Sequence, residues 1–432
     1  MTLSKTAPYQ AKLGGAYAWF IWALAAAAFG YAFFHRVTPS VMVSDLMTDC
    51  AIGGAMLGTL SALYFYPYVI LQVPLGALLE TFGTRLLLSA ALCLAGIGSV
   101  LFGIAESIEL AYLGRFLIGV GSSVGFLGSL ALASKWFPPH RYAFLTGLSM
   151  FTAMGSGMVA QAPLAYFIES FGWRSSLSTL GWAGFGLAVM IFLFVRNAPE
   201  TPEGQITNDV KKRERAEKWS ALWASLRAAS TDSDVWKMSF VAATLSGPML
   251  VLGGLWGTPY LMKAYDLARP DAAFLMSLLL LGWAISAPFC GWLSGKIGRS
   301  KPIVISGAIA LCAMLTLLIF APGLPLGTVV PILIAIGLSG GSMVTCFALV
   351  RDVMPVHKAG AATGIVNSMT VASGAVLQPL VGLALDILWA GDLKKGAPVY
   401  QASDYRIAFI LVLIAALGGL IVAFRLRETP KA

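Results

Sequence analysis

Twelve apolar stretches, at roughly 17–38, 55–79, 86–105, 108–134, 143–168, 176–196, 236–262, 272–295, 302–320, 328–350, 361–389 and 406–424, leave this chain few ways to fold. Each reaches the roughly 20 residues that a helix needs to cross about 30 Å of hydrocarbon. They run too long for barrel strands and lack an alternation of period two, so helices are the way to satisfy their backbone in lipid. Only 11% of the 432 residues are charged, where water-soluble chains carry about a quarter. Little sequence is left for a soluble catalytic domain. The expectation is an all-α membrane protein of twelve transmembrane helices.

The net charge of +9 would suggest nucleic acid in a soluble protein, but here its distribution matters more. Counting alternate connections, 21 of the 29 Lys and Arg fall on the side that holds both termini and 6 on the other. Arg36 and Arg115 lie within spans. Basic residues gather on the cytoplasmic side of a membrane protein, so both termini are expected in the cytoplasm, with the chain multi-pass in the cell inner membrane. The basic excess is then a topology signal and no nucleic-acid partner is needed. The five cysteines, Cys50, Cys93, Cys290, Cys312 and Cys346, show neither a C-x-x-C nor a Cys/His ligand spacing. Neither disulfides, a metal nor a cofactor is indicated.

Residues 197–235 hold 13 of the 49 charged residues, including the run 211–215, and read as a cytoplasmic linker between two hydrophobic bodies, 1–196 and 236–432. The two bodies resemble each other at an offset of about 217 residues. Gly76 and Gly83 match Gly291 and Gly298; Pro138, His140 and Arg141 match Pro355, His357 and Lys358; Gln161 matches Gln378, and Glu169 matches Asp386. Six spans repeated in one orientation make two six-helix bundles related by an axis along the membrane normal, with a central cavity where they meet.

Charge inside hydrocarbon is costly, so embedded ionisable residues are the first functional candidates. His35 and Arg36 lie near the outer end of the first span. Arg115 lies about seven residues into the fourth, roughly 10 Å below the outer face at about 1.5 Å per residue. Unneutralised guanidinium presents a planar fork for the two oxygens of a carboxylate or phosphate. Blander readings stand beside this one: Arg36 paired with Asp45 or headgroups, Arg115 held by backbone carbonyls, and His35 neutral and hydrogen-bonded. Glu169 with Arg174, and Asp386 with Arg406, read as structural ion pairs. Tyr64, Gln161, Trp256, Tyr260, Asn367 and Gln378 are uncharged candidates for cavity hydrogen bonds, although polar groups also tie helices together. Tyr64, Tyr66 and Tyr68 cannot share one face, since residues two apart point about 200° apart on a helix.

The loop Gly76-Ala-Leu-Leu-Glu80-Thr-Phe-Gly83-Thr-Arg85 and its second copy, Gly291 to Lys301 with Lys296 and Arg299, are similar to the signature loops of the major facilitator superfamily. Arg115 with Gly119 and Gly121 resembles that family's fourth-helix motif, and the likeness covers essentially the whole chain. Phe34-His35-Arg36-Val-Thr-Pro-Ser40-Val is also similar to the first helix of organic-anion and organophosphate transporters, with His35 standing where those have an acid. The resemblance implies a secondary active transporter in which the first and fourth helices line the cavity, so that Arg36 and Arg115 converge at one level. It further implies that Arg36 binds the substrate anion, and that one half rocks against the other. The loops bearing Glu80, Arg85, Arg141, Lys296 and Arg299 would hold the cytoplasmic ends together while the cavity opens outward.

The expected function is proton-coupled import of a small organic anion such as a carboxylate, by a single copy of the chain in the lipid bilayer. Substrate and proton could then arrive together at His35. A carrier of a neutral or zwitterionic metabolite, or an exporter, is the alternative. A polytopic enzyme or sensor finds little support, because no zinc motif, nucleophile elbow or embedded carboxylate pair is found.

Overall fold

The computed structural model describes residues 13–199 and 223–428. The basic run 211–215 of the expected linker lies outside the described residues. Twelve helical spans are present where the apolar stretches predict them: Ala16–Val41, Gly54–Gln72, Thr84–Gly103, Ile108–Trp136, Pro139–Phe171, Trp173–Phe194, Ser233–Tyr265, Arg269–Ile297, Lys301–Phe320, Leu326–Val353, Lys358–Leu388 and Ala402–Phe424. We number them one to twelve and call the end where the first begins the near end. A two-residue hairpin, Leu393–Lys394 with Ala397–Pro398, is a small addition to the all-helical expectation at the far end.

Several spans are not single α-helices, and two breaks follow the repeat. Span four is interrupted between Ile108–Ser122 and Gly125–Trp136, and span ten by the 3-10 turn Gly341–Met343. Span five breaks after Val159 and restarts at Ala162, leaving Gln161 at the joint. In span one a 3-10 turn, Thr38–Val41, follows Arg36 directly, and Pro39 within it cannot donate to an α-helical ladder. In span seven Met249–Trp256 is π-helical, a form that leaves the helix wider and its hydrogen bonds poorer. The repeat-matched Gly83 and Gly298 carry φ of +78° and +72°, a region open to glycine at no steric cost.

The two sets of six spans are locked at the far end. Asp386 of span eleven accepts from the backbone N–H of Gly54 at 2.7 Å and of Ala55 at 2.8 Å, satisfying two orphan donors at the start of span two. Tyr400 also donates to Asp386. Arg269 forks onto Asp45 at 2.6 and 3.1 Å. Span two lies so close to span eleven that a Cβ on Gly58 would sit 2.6 Å from the Gln378 carbonyl oxygen. Glycines of the near-end halves face open space instead: Gly76, Gly147, Gly291 and Gly364 would meet nothing within 4 Å. The contacts that join the halves here, Asp386 to Gly54, Arg269 to Asp45 and Gln161 to Gly253, lie at the far end and at mid-depth.

Three expected ion pairs have other partners. Asp45 is taken by Arg269 rather than Arg36. Arg174 pairs with Asp49 rather than Glu169, and Asp386 caps span two rather than meeting Arg406. Partial burial works against ionisation of Asp49, but the hydrogen bonds from Trp173 and Arg174 and the charge of Arg174 outweigh it and hold the carboxyl below its usual value.

These contacts predict that Gly58→Leu pushes the far ends apart while Gly76→Leu is tolerated. Spin-label distances between the 103–108 and 320–326 loops should lengthen in the first variant and stay as in the parent in the second.

Candidate functional site

The site grows from the last turns of span one. His35 and Arg36 end its α-helical part, and Arg36 is 7% exposed while His35 and Arg115 are wholly buried. Span two brings Tyr64 and Tyr68 to the same place. Four residues apart on one helix face, their rings stack at 6.1 Å, whereas Tyr66 points elsewhere and donates to the Ala375 carbonyl. Tyr64 is fixed by its own hydroxyl, which donates to the Ala32 carbonyl at 2.8 Å.

Both guanidinium groups lie against that ring. Cζ of Arg115 is 4.8 Å from its centroid and Cζ of Arg36 is 5.8 Å away; Arg36 also rests on Phe33 at 4.7 Å and Tyr68 at 5.0 Å. Aromatic faces carry partial negative charge and favour cations, but they do not cancel a full charge. Arg115 is anchored by Nη1, which donates to the His35 carbonyl at 2.7 Å. Among the described residues no carboxylate forms an ion pair with either arginine. Arg36 Nε, Arg115 Nε and Nη2, Gln72 Nε2 and both ring nitrogens of His35 are buried without a hydrogen-bond partner. Buried polar groups are ordinarily satisfied, and here several unsatisfied N–H groups lie beside two cations.

The other candidates are placed differently. Gln161 joins the two halves: its Nε2 donates to the Gly253 carbonyl at 2.7 Å and its Oε1 accepts from Ser40 at 3.3 Å. Gln378, its repeat partner, donates to the Leu250 carbonyl at 2.7 Å, so both glutamines hold the π-helical segment of span seven. Trp256 donates to the Gln378 carbonyl, and Tyr260 packs on Tyr405 and Phe409 inside the second half. The structure does not bring these two to the arginines. Asn367 is half-buried on span eleven. Phe33, Tyr68 and Gln72 complete the arginine cluster; the i, i+4 spacing of Tyr64, Tyr68 and Gln72 was the signal in the sequence that could have joined them.

At the near end, Arg85 donates through Nε to the Phe192 carbonyl and stacks on that ring, and Lys296 lies over Trp292 of its own span. Glu80, Arg141 and Arg299 are exposed.

A family profile described as Major Facilitator Superfamily matches residues 24–379 and 258–432. A probable galactarate/D-glucarate transporter of Bacillus subtilis, GudP, is 24% identical over 89% of this chain and 88% of its own length. A probable sulfoacetate transporter of Cupriavidus necator, SauU, is 22% identical, and there the match spans only 62% of each chain. Among solved structures, a bacterial homologue of the human lysosomal transporter Spinster superposes with a TM-score of 0.77 over 97% of this chain and all of its own, at 14% identity, which speaks to the fold.

The shared ring yields a stability test. Tyr64→Phe removes only the hydroxyl bond to Ala32 and should cost about 1 kcal/mol. Tyr64→Ala strips both cations of their common face and should cost about 3–5 kcal/mol. Thermal unfolding in detergent should rank parent, Phe and Ala variants in that order.

Proposed function

The chain belongs to the major facilitator superfamily, and from that premise we propose that it imports a small organic anion together with protons. The observation that carries this is the pair of buried arginines on Tyr64 with unsatisfied donors and no carboxylate among the described residues to neutralise them. An arriving acid group supplies the missing charge and accepts the idle N–H groups at once. That relatives are named for galactarate, D-glucarate and sulfoacetate supports the same class of cargo. The excess of basic residues on one side supports a reading in which the near end and both termini face the cytoplasm, with the protein in the inner membrane; we take a single copy of the chain as the transporting unit. On that orientation the contacts at the far end close the outer side, and the cavity between the halves opens inward.

His35 supplies the proton step. Its ring nitrogens lack partners, Tyr31 packs on its face at 4.6 Å, and its carbonyl holds Arg115, so proton arrival and anion binding act on one short stretch. In the opposite conformation Glu80, Arg85, Arg141, Lys296 and Arg299 close the near end by exchanging partners across the halves.

Uptake in proteoliposomes under an imposed pH gradient tests this. Arg36→Lys keeps the charge but loses the fork, so transport should fall at least about tenfold. His35→Gln should abolish accumulation driven by the gradient and retain exchange of internal for external substrate. Gradient-driven accumulation that persists in His35→Gln refutes the proton role, and unimpaired binding by Arg36→Ala refutes the anion site.

A further inference from the structure

Resting on the anion reading above, we propose that the site is matched to a small dianion: a short skeleton bearing two acid groups, one for each guanidinium. The first argument is charge. Arg36 and Arg115 both lie close to the Tyr64 ring centroid, at 5.8 and 4.8 Å, and no carboxylate pairs with either among the described residues. A monoanion neutralises one of them and leaves the other buried without a counter-charge, which a low-dielectric surrounding penalises heavily.

The second argument is the inventory of donors. Arg115 is anchored through Nη1 alone. Its Nε and Nη2, which together make the side-on fork of a guanidinium, have no partner. An arginine serving only as a packing post would spend that fork on nearby carbonyls; here the fork is left whole while the group is held rigid. Arg36 Nε and Gln72 Nε2 add two more idle N–H groups, so these three side chains offer donors to two separate acceptor ends. The Tyr64 hydroxyl is committed to Ala32 and cannot substitute for an acid.

Spacing sets the size. The two distances to the Tyr64 centroid, laid end to end, keep the Cζ atoms within about 11 Å of each other. A forked contact on each side occupies about 2.8 Å between nitrogen and oxygen, which leaves room for a skeleton of only a few carbons. Arg36 is the slightly exposed member and Arg115 the buried one. The first acid group docks on Arg36, and the second reaches Arg115 past the edge of Tyr64.

Thermal-shift titrations of the purified full chain in neutral detergent test the assignment, using succinate, tartrate and glucarate and the monoamide of each. A monoamide keeps the skeleton and removes one charge. At least one diacid should bind at least about tenfold more tightly than its monoamide. Arg115→Gln should shrink that gap by weakening the diacid alone. Arg115→Lys, which retains the charge without the fork, should fall between the two and provides the comparison if Arg115→Gln does not fold. Equal affinity for diacid and monoamide, or an undiminished gap in the Arg115 variants, overturns the dianion and leaves the anion reading intact. Stabilisation by none of the diacids also overturns it, and stabilisation by the neutral diamides instead overturns both.

Discussion

Arg36 and Arg115 meet at the ring of Tyr64, and among the described residues no carboxylate pairs with either. Burying a cation without a partner costs several kcal/mol, so the fold must recover the loss elsewhere. Part is recovered from aromatic faces on Phe33, Tyr64 and Tyr68, and part from the His35 carbonyl. On the proposed function, the cargo supplies the remainder, and a site so built has its greatest affinity for what cancels its charge.

The same cluster touches the device that joins the halves. Ser40, four residues beyond Arg36, donates to Gln161, and Gln161 donates across to Gly253 in the π-helical part of span seven. Two side chains, Ser40 and Gln161, thus link the turn Thr38–Val41 beside Arg36 to the π-helical part of span seven. Asp386 on the starting turn of span two and Arg269 on Asp45 close the far end. On the orientation proposed above, it is the outer gate.

Much of the architecture was legible in the sequence because lipid forbids unsatisfied backbone: the twelve spans follow from apolar length alone. The repeat was legible as well, down to Gly83 and Gly298, whose shared positive φ explains why glycine recurs there. Depth along a helix was enough to bring Arg36 and Arg115 to one level. What sequence spacing could not reach was partner choice across tertiary contacts. Asp45, Arg174 and Asp386 each found a nearer group than the one a linear reading assigns, in Arg269, Asp49 and the span-two backbone. The π-helical turn and the joint at Gln161 were hidden for a similar reason, since apolar residues fit α and π helices alike and only the packed neighbour decides between them.

On the proposed function, position 36 carries a charge which the fold leaves unneutralised and the cargo cancels. Thermal unfolding of the parent and of Arg36→Met, each titrated with an organic dianion in neutral detergent, addresses it directly. Without anion, the Met variant should unfold at the higher temperature, because an apolar side chain of similar length replaces a buried, unpaired cation. With anion, the parent should rise and the Met variant should stay where it was. A Met variant that is less stable without anion, or one that gains as much from the anion as the parent does, would contradict the account.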